Sequence, residues 1–72
     1  MHPEIKNYFE DRGAIIWNEY APNDYVEFYQ IINKTYTPIA LWSPETKWEY
    51  CLNGNWFSER DALRLVKLKA FL

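Results

Sequence analysis

Seventy-two residues with 8 Lys and Arg, 10 Asp and Glu and a net charge of -2 are expected to form one small domain. The chain is 49% hydrophobic and 19% aromatic, with four Trp, six Tyr and four Phe, which excludes a disordered charged tail. The charge balance is too mild for a histone-like DNA binder or for an acidic nucleic-acid mimic.

Pro3 through Arg12 reads as a short helix. Proline suits the first helical position, Glu4 favours the positive helix end, and Ile5, Tyr8 and Phe9 form one apolar stripe. Gly13 is the expected terminator. Ala14 to Tyr20, with Ile15, Ile16 and Trp17, suits a strand, and Ala21-Pro22-Asn23-Asp24 is dense in turn formers. Tyr25 to Asn33 is the strongest strand pattern. Val26, Phe28, Gln30 and Ile32 alternate with Tyr25, Glu27, Tyr29 and Ile31, so both faces expect at least partial cover.

Asn33-Lys34-Thr35-Tyr36 turns the chain into a strand from Thr37 to Trp42, where Pro38 suits a strand start or an edge. After the turn Ser43-Pro44-Glu45-Thr46, residues Lys47 to Leu52 alternate Trp48, Tyr50 and Leu52 against Lys47, Glu49 and Cys51. Asn53-Gly54 is a hairpin turn signal, since both residues tolerate positive φ. Asn55-Trp56-Phe57 reads as a short extended stub. Ser58 followed by Asp61 resembles a capping box, and Glu59 adds a favourable charge at the helix start. Ala62, Leu63, Leu65, Val66 and Ala70 share one face of that last helix. Arg60, Arg64 and Lys67 share the other, and Lys67 and Lys69 sit near the cation-favouring end.

The expected fold is therefore α+β: an N-terminal helix, three or four antiparallel strands and a C-terminal helix, both helices packed on one sheet face. The remaining aromatics would lie on the other face, exposed or held against a partner.

No apolar run approaches the roughly 20 residues that span a bilayer, and the start Met1-His2-Pro3-Glu4-Ile5-Lys6 lacks the pattern of a secretory signal. With the single Cys51 no internal disulfide forms, which fits a cytoplasmic protein. The glycosylation pattern at Asn33-Lys34-Thr35 is read as chance for the same reason.

His2 is the only histidine and reads as a solvated residue of the terminus; Cys51 reads as a packed small apolar residue. One His and one Cys are too few for a metal centre. Glu10 and Asp11 diverge on their helix, Glu19 and Asp24 flank a turn, and Gly13 and Gly54 stand alone rather than in a phosphate loop. No catalytic residue, cofactor or metal is expected.

Charge is distributed unevenly. Residues 1–59 carry four basic and nine acidic groups, a balance of -5, and residues 60–72 four basic and one acidic, +3, which together give -2. Arg60, Arg64 and Lys67, with nearby aromatics, suggest a second reading as a single-stranded nucleic-acid binder. The order helix, three strands, helix resembles the topology of double-stranded RNA-binding domains. Those domains share a Lys-rich start to their final helix, whereas this one begins Ser58-Glu59-Arg60-Asp61, so the residues that would bind RNA do not carry over.

The aromatic surplus favours a different function. Trp17, Trp42, Trp48 and Trp56, with Tyr25, Tyr29, Tyr36 and Tyr50, exceed what one covered face of a small sheet holds, and Trp and Tyr are enriched at interface hot spots. The first reading is a non-catalytic protein-interaction module that binds a protein partner or itself through Trp42, Trp48, Tyr50 and Trp56. Accessory regulators and inhibitors, including those of phages and mobile elements, commonly take this form. Trp48 discriminates: on an exposed face its loss weakens binding alone, and in the core it costs several kcal/mol.

Overall fold

The computed structural model describes residues 1–20 and 24–68. Its order is α1 (Pro3–Glu10), β1 (Ile16–Tyr20), β2 (Tyr25–Ile32), β3 (Thr35–Ser43), β4 (Lys47–Leu52), β5 (Asn55–Ser58) and α2 (Glu59–Lys67). The strands form one antiparallel sheet in the order β1-β2-β3-β4-β5. The α+β class is as expected, but the sheet has five strands rather than three or four. Asn55–Ser58 is a paired edge strand, because a two-residue turn returns the chain directly alongside β4. The expected turn at Ala21, Pro22 and Asn23 lies outside the described residues, as do Lys69 and Ala70.

Tight turns set the register. Asn53 and Gly54, at φ 52° and 83°, fold Leu52 against Asn55. Asn33 and Lys34, at φ 51° and 63°, do the same for Ile32 and Thr35, so this turn takes two residues and not four. Both turns have the double positive φ whose twist matches paired strands. The register between β2 and β3 shifts at Phe28/Tyr29, where Phe28 pairs with Ala40 and Tyr29 with Pro38. The extra residue, Ile39, is a β-bulge, and it puts both Ile39 and Ala40 into the core. Pro38 adjoins this irregularity, where a missing N–H is tolerated.

One cluster forms the core: Ile5 and Phe9 of α1, Ala62 of α2, and Ile39, Ala40, Tyr50 and Leu52 of the sheet. Both helices therefore share a face. Leu63, Leu65 and Val66 pack against this cluster, while Arg60, Arg64 and Lys67 are exposed. α1 ends at Glu10, two residues earlier than expected, and its final carbonyls meet the N–H groups of Arg12 and Gly13. The Gln30 Nε2 group then donates to the Phe9 and Gly13 carbonyls, which anchors the end of α1 to β2.

At the helix starts, Ser58 Oγ accepts from Asp61 N–H at 3.4 Å, and His2 Nδ1 accepts from Glu4 N–H at 3.2 Å. His2 is thus a helix cap rather than a freely solvated side chain. Ser58→Ala removes one cap acceptor and is expected to lower stability by about 1 kcal/mol, measured by urea denaturation.

Candidate functional site

Two short helices leave part of their sheet face uncovered. An eight-residue helix is only about 12 Å long, whereas β2 with eight residues and β3 with nine run roughly 27–30 Å. The helices sit over the part of the face that holds Gln30, Ile39, Ala40, Tyr50, Leu52 and Phe57. Two cross-strand rows locate the edge of that cover: Ala40, Tyr50 and Phe57 of the first lie beneath the helices, and Trp17 and Phe28 reach the open groove. One runs Trp17–Phe28–Ala40–Tyr50–Phe57 across β1 to β5. The next runs Glu19–Val26–Trp42–Trp48 across β1 to β4.

The uncovered portion is a concavity of about 320 Å³ lined by Met1, Trp17, Glu19, Val26, Phe28, Trp42 and Trp48. Val26 and Phe28 on β2 are the floor. Trp17 and Glu19 rise from β1 on one side, and Trp42 and Trp48 from β3 and β4 on the other. The wall strands β1 and β3 stand two strand spacings apart, about 9.5 Å. Trp17 is 55% exposed although it neighbours Phe28. Trp48 is held firmly, its ring centroid 5.4 Å from Phe28 and 5.8 Å from a near-parallel Tyr50. Trp42 is half-buried and lies outside the core cluster.

Two further concavities continue this surface. One of about 250 Å³, lined by Glu19, Tyr20, Asp24, Tyr25, Val26 and Trp42, adds a second carboxylate. Burial first, then the neighbouring Glu27 carboxylate, raises the Tyr25 phenol above its ordinary value. The other, of about 670 Å³, lies toward α1 and is lined in part by Lys6 and Glu10, whose charges oppose.

The four expected contact residues do not form one site. Trp42 and Trp48 are neighbours in the groove. Tyr50 is fully buried, with its hydroxyl accepting from His2 N–H at 3.2 Å and donating to Glu59 Oε1 at 2.9 Å. Burial first, and then the bond to the Glu59 carboxylate, push its phenol pKa well up, against the opposing effect of the bond from His2 N–H. Trp56 pairs with Cys51 and therefore points to the opposite sheet face, where it is 42% exposed. The two-residue turn at Asn53-Gly54 carries that signal: it opposes Leu52 to Asn55, and so Trp56 to Cys51.

Trp17, Glu19, Val26 and Phe28 were missed as site residues. Their signal is the shared parity of Trp17 with Glu19 and of Val26 with Phe28, which antiparallel pairing of β1 with β2 places side by side.

The exposed side of α2 is a separate surface. Arg60, Arg64 and Lys67 line none of the three concavities described above, and Lys67 lies 3.9 Å from Glu4 of α1. The opposite sheet face carries Ile31 and Tyr36 as an exposed cross-strand pair. Among the described residues, no group of three or more His, Cys, Asp or Glu side chains is placed to hold a metal. No helix among them is long and apolar enough to cross a membrane.

Comparison with family models, with curated proteins and with solved structures found no match.

Proposed function

We propose that this protein is a non-catalytic interaction module whose partner protein docks on the aromatic groove of Trp17, Trp42 and Trp48. The observation that supports this most directly is the open position of that groove. Three of the four Trp side chains line one concavity that the protein's own helices leave uncovered. A solvent-facing Trp contributes little to folding, whereas Trp in a partly desolvated pocket is the commonest kind of interface anchor. The rigid sheet beneath fixes the rings before binding, which reduces the entropy lost on association.

The double variant Trp17→Ala, Trp42→Ala tests the reading. Neither ring belongs to the core cluster, so the variant should fold with a stability loss of no more than about 1–2 kcal/mol. Partners retained by the parent chain and lost by the variant are identified, purified and titrated back by calorimetry. Binding should be saturable and fall at least about thirtyfold in the variant. Equal affinity for both proteins would overturn the reading. Quenching by single-stranded DNA or RNA that fades with salt and is lost on charge reversal at Arg60 and Arg64 would replace it with nucleic-acid binding. A dimer in sedimentation velocity that the double variant abolishes would make the partner a second copy.

A further inference from the structure

Building on the reading of this groove as a docking site, we propose that it is an aromatic cage for an arginine side chain presented by the partner. The argument starts from charge. The β1–β2 hairpin, residues 16–32, carries Glu19, Asp24 and Glu27 and no Lys or Arg. Glu19 lines the cage itself, and Asp24 lines the concavity that continues it through Glu19, Val26 and Trp42. No Lys or Arg side chain lines either of these two cavities, and the only positive group among their lining residues is the Met1 α-ammonium, whose pKa burial lowers from its ordinary value.

Aromatic rings carry a negative face that attracts cations, Trp most strongly, and arginine is the cation most often found there. Its guanidinium is planar and weakly hydrated, so it stacks on a ring while its N–H groups fork onto a carboxylate. The groove supplies both requirements in one place. Trp17 and Glu19 lie on the same face of β1, two residues apart, and Trp42 and Trp48 face them across the Val26 floor.

A purely apolar partner side chain would fill the same volume but leave Glu19 to be desolvated without compensation, which is costly. An acidic partner would meet the like charges of Glu19 and Asp24. A cationic side chain satisfies the rings and the carboxylate together, and arginine does so better than lysine, because its planar, weakly hydrated fork stacks on a ring and bonds a carboxylate at the same time. The protein already makes such a pair elsewhere, with the Arg12 guanidinium 3.6 Å from the centre of the Tyr8 ring.

The experiment titrates the full chain with Nα-acetyl-arginine amide and with its neutral isostere Nα-acetyl-citrulline amide, at constant ionic strength. Trp fluorescence is the readout, in a Trp56→Phe background that removes the reporter on the far face. Arginine amide should give a saturable response in the millimolar range, at least about fivefold stronger than citrulline amide. Glu19→Gln should weaken the arginine response about threefold or more, and Glu45→Gln, in the β3–β4 turn, should leave it unchanged. Equal responses to the two amides, no saturable response, or an unaltered Glu19→Gln protein would each overturn the proposal. Failure here with partner binding still lost in the Trp17, Trp42 double variant would remove the cation chemistry while the docking reading stands. Loss of partner dependence with the arginine preference intact would do the reverse.

Discussion

Replacing Tyr50 with alanine is expected to cost about 3–5 kcal/mol, or to leave the chain unfolded at room temperature. A domain of this size has on the order of 4–10 kcal/mol to lose. Tyr50 has no exposed surface, stacks on Trp48, and sits opposite both Ala40 and Phe57. Its hydroxyl also joins two otherwise separate parts of the fold, the backbone before α1 and Glu59 at the start of α2. Tyr50→Phe isolates that linkage and should lose about 1–2 kcal/mol with the fold retained. Urea denaturation measures both, and an unchanged midpoint for Tyr50→Ala would show that Tyr50 does not hold the core.

The same residue gives an alkaline signature. The folded state raises the Tyr50 pKa, so the folded protein keeps this proton while the unfolded chain releases it above the ordinary phenol value of about 10. Stability should therefore fall as pH rises past that value. Tyr50→Phe should flatten the fall, leaving the smaller contribution of Tyr25, whose pKa is also raised.

Gln30→Ala is the second large effect expected, about 2–3 kcal/mol. The Gln30 amide group is buried and donates to the carbonyls of Phe9 and Gly13, which follow or end α1. An eight-residue helix is too short to persist alone and depends on tertiary anchors. Its loss should speed hydrogen exchange in α1 more than in the β3–β4 hairpin. Gln30→Glu sharpens the test, because a carboxylate would face two carbonyl oxygens. Burial and that arrangement favour the protonated acid, so the variant should lose stability as pH rises through the ordinary carboxylate range of about 4–5. A Gln30→Glu protein with no such pH dependence would show that this side chain does not face the carbonyls.

Local rules predicted much of the fold. Asn53-Gly54 needs positive φ at both positions, Ser58 offers an acceptor to a free helix N–H, and Trp48, Tyr50 and Leu52 alternate cleanly. The turn at Asn33-Lys34 was harder to read, because Lys34 at φ 63° has no compositional mark of a left-handed residue. The bulge at Ile39 was hidden for a related reason. Alternation in one strand carries no information about an extra residue relative to its neighbour, and the insertion reverses the face of everything beyond it.

The candidate site was legible only in part. The abundance of Trp and the acidic β1–β2 hairpin are properties of the chain, and Trp42 and Trp48 were recognised as contact candidates. Tyr50 and Trp56 belong elsewhere. Along a strand, period two assigns residues to the same face, but it does not say how far along that face the helices extend. Tyr50 and Trp48 share a face and differ in burial because α1 and α2 cover one and stop short of the other.

By itself, then, the sequence determined the order of elements, the turns that join most strands and the charge of each segment, since all of these depend on neighbours within a few residues. The tertiary structure decided which aromatic rings became core, groove or far face. That division depends on where Gln30 anchors α1, through bonds to residues 17 and 21 positions away, and on where the Ile39 bulge shifts β3 against β2, an offset that alternation within one strand does not encode.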